Sequence, residues 1–155
     1  MPNPKHSCRL VFAAVLALVA CARPDTAYPL LGGGTVDFAA LHGRAVFINY
    51  WAEWCAPCRE EIPALNAFAA AHPDEVRILS VNFDGATGAA LTQQARGLGI
   101  EFATLLRDPR PSLGVAPPMG LPETLVLDRG GKLHRVLSGP QTRADLEAVL
   151  AGLPP

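Results

Sequence analysis

Two cysteines three positions apart, in the run Trp54–Cys58, constrain what must surround them. Ala45–Trp51, just before the pair, is β-branched and aromatic, which suits a strand buried on both faces. The residues after it predict a helix from about Cys55 to Ala71. Pro57 falls in its first turn, where a missing N–H costs little. Pro63 falls inside it, where a kink is expected. A thiol at a helix N-terminus faces unpaired N–H groups and the positive end of the helix dipole, so its thiolate is favoured. The thiolate is the attacking species in disulfide exchange. A strand, a dithiol and a helix in that order predict redox chemistry.

The chain has 155 residues, enough for one domain with a real core. Half of them are hydrophobic, 17% are charged and the formal net charge is −1. With no basic run among scattered Lys and Arg, nothing points to nucleic acid as a partner.

The first 20 residues read as a leader. Lys5, His6 and Arg9 give a basic start, and Leu10–Ala20 is an unbroken apolar run. Eleven residues are too few to span a bilayer but suit the apolar region of a signal peptide. The run ends in Leu18–Cys21, which resembles the lipobox of bacterial lipoproteins and implies lipid on Cys21. An ordinary signal peptide followed by an unrelated Cys is the other reading. Ala22 after that Cys weakly favours the outer membrane. Removal of the leader takes away Lys5 and Arg9 and moves the formal charge from −1 to −3. With Cys8 gone and Cys21 acylated, only Cys55 and Cys58 stay reactive, too few for a disulfide-stapled scaffold. The predicted division is a signal peptide over 1–20, a tether over 21–29 and one domain over 30–155.

Within the domain, Leu30–Val36 passes through Gly32, Gly33 and Gly34 and predicts a small hairpin or edge strand. Phe38–Leu41 reads as a helical turn. Val76–Asn82 predicts a second buried strand, Thr87–Leu98 a helix and Phe102–Leu106 a short strand. Alternating strands and helices imply parallel βαβ units. Pro109–Pro122 reads as a Pro-rich loop. Thr124–Leu127, a turn over 128–131 and Lys132–Leu137 predict an antiparallel hairpin. Thr142 caps a last helix reaching about Leu150, with Asp145 three residues on.

This order, with a dithiol opening the first core helix and a closing hairpin and helix, resembles the thioredoxin fold. The chain is most similar to the TlpA/ResA-like thiol-disulfide oxidoreductases. The resemblance covers about residues 30–150 and rests on Asn49–Leu65, Asp108, Gly120–Pro122, Leu125–Asp128, Gly131 and Gly139. It implies an α/β domain: a central mixed sheet flanked by helices, with an N-terminal hairpin extension. Six residues before the first active-site cysteine, cytoplasmic-type thioredoxins carry a buried acid. This chain has Asn49 there. A base for the second thiol must come from elsewhere, and Glu61, three residues after Cys58 on the same helix, is the candidate. The resemblance implies the same role.

The expected roles follow. Cys55, at an exposed helix start, is the nucleophile, and Cys58 resolves the mixed disulfide. The resemblance implies that Pro122 is a cis-proline facing the dithiol. Leu121's backbone would then pair with an extended substrate chain. Trp54 either covers the dithiol and contacts partners or serves packing. Glu53 and Glu60 read as surface charges, and Arg59 favours the thiolate subject to salt screening. No cofactor or metal is expected. His42, His72 and His134 are isolated in sequence and read as surface imidazoles.

The expected function is cell-envelope disulfide reduction in partner proteins, as in cytochrome c maturation or metal-site assembly. A membrane electron donor would supply the electrons, and the lipid anchor would hold the domain at a periplasm-facing membrane. A copper metallochaperone using the same two cysteines, with His134 as a distant ligand, is the first rival. A thiol peroxidase would usually carry Thr or Ser three residues before its cysteine, where this chain has Ala52. A scaffold lipoprotein would leave both cysteines idle.

Overall fold

A computed structural model describes residues 26–154. The leader and Cys21 lie outside the described residues. The elements run β1 (Ala27–Pro29), β2 (Thr35–Asp37), a 3₁₀ turn (Phe38–Leu41), β3 (Ala45–Trp51), α1 (Ala56–Ala71), β4 (Val76–Asn82) and α2 (Gly88–Gly97). They continue with β5 (Ala103–Leu105), α3 (Arg110–Leu113), β6 (Glu123–Leu127), β7 (Leu133–Ser138) and α4 (Arg143–Ala151).

The main sheet has the order β5-β4-β3-β6-β7. Its β3–β4 and β4–β5 pairs are parallel, and its β3–β6 and β6–β7 pairs are antiparallel. This is the mixed sheet expected of a thioredoxin fold, and β1 and β2 add the N-terminal hairpin. The hairpin begins at Ala27, inside the stretch expected to be a tether. Its middle residue Tyr28 is buried and stacks on Phe38, 4.8 Å between ring centroids. Burying the Tyr28 ring against the partly buried Phe38 outweighs the prolines that made 22–29 read as irregular. The 109–122 segment likewise contains the one-turn helix α3.

β3 is central and every one of its seven residues is buried. Alternate side chains go to opposite faces. Ala45 and Phe47 join Ile62, Leu65 and Phe68 of α1 and Leu146 of α4 in one core layer. Val46, Ile48 and Tyr50 join Leu79, Leu125 and Leu127 in the other. Asn49 lies between Phe47 and Trp51 on the α1 side, so a polar residue in an apolar strand is aimed at the helix that carries the cysteines. Thr142 caps α4 through a reciprocal box with Asp145, as expected.

Candidate active site

The dithiol sits where β3 hands over to α1. Cys55 is the N-cap of the helix, and its Sγ accepts a hydrogen bond from the Cys58 backbone N–H at 3.2 Å. The two cysteines are disulfide-bonded, with Cα atoms 5.3 Å apart, so the structure is the oxidised form. The sulfur of Cys55 therefore occupies the place where a thiolate gains from the helix N-terminus. No acidic side chain occupies the first turn of α1 to compete for that potential.

The expected exposure of Cys55 is corrected: it is 3% accessible and Cys58 is fully buried. Trp51, Ala52, Leu91, Ala95 and Leu98 form an apolar seat around the pair, with Leu121 packed against it. Sequence gave no sign of this cover, because α2 and Leu121 reach the cysteines only through the tertiary fold.

Glu61 is 2% accessible. Its Oε1 accepts from Asn49 Nδ2 at 2.6 Å, and its Oε2 accepts from the Gln141 backbone N–H at 2.9 Å. Burial pushes its carboxyl up to about 7, against those two hydrogen bonds, which favour the charged form. A carboxyl poised near neutrality can hold or release a proton at working pH. Asn49 also donates to Thr124 Oγ1 at 3.0 Å, so one amide ties β3 to β6 and to α1. Its Oδ1 is buried and accepts nothing. The spacing argument found Glu61, but the Gln141 contact spans 80 residues and left no local signal.

The Leu121–Pro122 bond is cis. The Pro122 carbonyl accepts from Gly139 N–H, which fixes the residue against β7. Leu121 lies outside the β6 ladder. Trp54 is 67% exposed, so its indole is not core packing, and its Nε1 donates to Asp84 Oδ1 at 3.1 Å. Glu53 and Glu60 are exposed as expected, and the Arg59 guanidinium donates to the Glu53 carbonyl at 3.2 Å.

One buried network was missed. Arg110 is 2% accessible and pairs with Glu123, the residue after Pro122. Its guanidinium lies 4.1 Å over the Tyr50 ring. Tyr50 donates from its hydroxyl to Asp108 Oδ1 at 2.7 Å, and the Arg110 N–H donates to the same oxygen. Burial and the Asp108 carboxylate together raise the Tyr50 hydroxyl far above its ordinary value. This network bolts α3 to the ends of β3 and β6 beside Pro122.

The histidines are not brought to the sulfurs. His42 is exposed, and His72 hydrogen-bonds Glu147 at 2.8 Å. His134 is exposed near the Leu133 end of β7, whereas Ser138 at the other end pairs with Glu123. His134 and Ser138 are four residues apart along the strand, about 13 Å.

The comparisons with known proteins agree with this geometry. The sequence model of the AhpC/TSA family matches residues 19–136. The thiol-disulfide oxidoreductase ResA of Geobacillus kaustophilus is 28% identical over 133 residues, covering 85% of this chain and 76% of its own. A thiol:disulfide interchange protein of the thioredoxin family from Chlorobium tepidum is 26% identical with a TM-score of 0.63, covering 85% of this chain and 97% of that one. The exposed lipoprotein thioredoxin Etrx1 of Streptococcus pneumoniae is 22% identical with a TM-score of 0.70, covering 82% and 98%, a likeness of fold.

Proposed function

The chain belongs to the AhpC/TSA family, and from that premise we propose that it is a cell-envelope thiol-disulfide oxidoreductase that reduces disulfides in partner proteins. The observation that carries the reading is the bonded Cys55–Cys58 pair at the N-terminus of α1. In the reduced form, the Cys55 thiolate attacks one sulfur of the partner's disulfide. A mixed disulfide forms and the other partner sulfur leaves as a thiolate, which takes up a proton. Cys58 gives its proton to Glu61, attacks the Cys55 sulfur and expels the second partner thiol. In sum, one dithiol and one disulfide become one disulfide and two thiols.

Glu61 is one helical turn from Cys58 and buried, which supports its role as proton acceptor. The exposed Trp54 indole and the Leu121 backbone beside Pro122 supply the docking edge, where an extended partner segment adds as a short strand. A membrane electron donor restores the dithiol. Acylated Cys21 holds the domain at the membrane, and among the described residues no helix is long and apolar enough to cross one. Cytochrome c maturation and metal-site assembly are the processes this chemistry suits.

The test is the reduction potential of the purified protein, equilibrated with glutathione or dithiothreitol buffers while free thiols are trapped. A value well below about −200 mV is expected for a dedicated reductant. A value near about −120 mV makes it an oxidant and overturns the direction. Absence of a two-electron transition refutes the oxidoreductase reading and brings Cu(I) binding by the same cysteines forward.

A further inference from the structure

Six large hydrophobic side chains are exposed among the described residues, and four of them, Trp54, Phe83, Leu106 and Met119, lie on segments that follow the C-terminal ends of β3, β4 and β5 or precede Leu121. Met119 is fully exposed and stands two residues before Leu121. Between the segments that carry Phe83, Leu106 and Met119 lies a cleft of about 260 Å³, walled by Phe83, Ala86, Leu91, Leu106, Asp108 and Pro117 among others. Two of its wall residues, Leu91 and Ala86, also belong to the apolar seat around the disulfide. The cleft and the sulfurs therefore share a wall. The Trp54–Asp84 hydrogen bond ties the cysteine turn to the β4–α2 loop that forms the cleft's rim.

We propose that this cleft takes one large apolar or aromatic side chain of the partner protein, from a residue flanking the cysteine that Cys55 attacks. The inference rests on the oxidoreductase reading and names what that site selects. Four observations carry it. The cleft shares Ala86 and Leu91 with the apolar seat of the disulfide that the partner's sulfur must reach. Its volume is below the range of about 300–1,000 Å³ typical of small-molecule sites, so it suits a single side chain rather than a cofactor. Phe83 and Leu106 are large apolar groups exposed at its wall, as at contact surfaces. Asp108 is the one charged residue of its lining, so an acidic side chain meets a like charge there.

The probes are short synthetic peptides with one cysteine held as a mixed disulfide with thionitrobenzoate. The residues flanking it are varied among Phe, Leu, Ala and Asp. Full-length protein, reduced and then freed of reductant, is mixed with each peptide. Attack on the peptide sulfur releases yellow thionitrobenzoate, and Cys58 then frees the peptide thiol. At one flanking position Phe or Leu should react at least about tenfold faster than Ala, the scale of a filled apolar pocket, and Asp more slowly than Ala. Two variants test the location. Leu106→Ala opens the rim at a half-exposed position, and Ala86→Leu fills the cleft. In both, the Phe-to-Ala rate ratio should fall toward one. A flat preference in the unmodified protein, or one that both variants retain, overturns the inference while leaving the oxidoreductase reading in place. Failure to react with any peptide and with glutathione disulfide overturns both.

Discussion

Replacing Glu61 by Gln tests the carboxyl's state directly. Glu61 has an ordinary carboxyl value of 4.5, and burial raises it to about 7 in the folded protein. A raised acid binds its proton more readily in the native state than in the unfolded chain. The native state then holds more protons between those two values, and stability falls as pH rises through that window. Each pH unit of separation corresponds to about 1.4 kcal/mol, so ionised Glu61 costs the oxidised protein about 3 kcal/mol above pH 8 relative to pH 4. For a domain of this size that is roughly 10 °C in melting temperature.

The Gln variant cannot ionise, so this slope disappears. It keeps one acceptor for two donors, Asn49 Nδ2 and the Gln141 N–H, so it loses one buried hydrogen bond. That costs about 1 kcal/mol at every pH. The difference between the two proteins removes the titration of all other groups. Urea unfolding of the oxidised forms from pH 4 to 8.5 should show the variant about 1 kcal/mol less stable at low pH and about 2 kcal/mol more stable at high pH, crossing over between. A difference that stays constant with pH refutes the account of Glu61 as a buried carboxyl near neutrality.

Three further outcomes follow from the same structure. Arg110→Met strands the Glu123 carboxylate in the interior and should lower unfolding stability by about 3–5 kcal/mol. Adding Glu123→Gln removes that charge and should recover a large part, so a double variant no better than the single one refutes the pairing. Thr142→Ala removes the α4 cap and should cost about 1 kcal/mol by urea unfolding. Cys58→Ser should leave Cys55 able to attack but not to release, so a stable mixed disulfide with a partner appears on non-reducing gels, whereas Cys55→Ser shows none.

The legible parts of the fold were those set by mainly apolar runs rich in β-branched residues. β3 and β4 each hold seven residues with almost no charge, and both fall on their expected bounds, 45–51 and 76–82. The dithiol helix and the Thr142–Asp145 cap were legible because their signals lie within a few residues of one another. What stayed hidden depends on residues far apart in sequence. β1 forms around Tyr28, whose ring is covered by Phe38 across the hairpin and whose hydroxyl meets Ser112 Oγ. Arg110 reads as an ordinary loop cation until the 109–122 segment folds it over Tyr50 and against Glu123. The burial of Cys55 follows from α2 and Leu121. The chemistry of the site was therefore readable from local spacing, while its accessibility and bracing were not.

The hollow at Glu61 and the proposed selection cleft share no lining residue. Glu61 faces Asn49 and Gln141, and the surface hollow that reaches it is lined from α1 and residues 140–143. The cleft is lined from Tyr50 of β3, β4, the β4–α2 loop, α2, β5, Leu106 and Asp108 after it, and the 117–118 turn. In the proposed cycle, proton transfer to Glu61 serves the departure of the partner, and the cleft serves its arrival. Changes at sites that share no partners act additively in free energy, so their effects on rate should multiply. Glu61→Gln should slow resolution of the mixed disulfide, with the Phe-to-Ala preference for attack unchanged. Leu106→Ala, at a residue that lines the cleft outside the seat of the disulfide, should erase the preference and leave resolution unchanged. The double variant should show both losses at full size, followed by rapid mixing for attack and acid trapping for resolution. A coupling above about 1 kcal/mol between them refutes the separation and makes Glu61 part of partner docking.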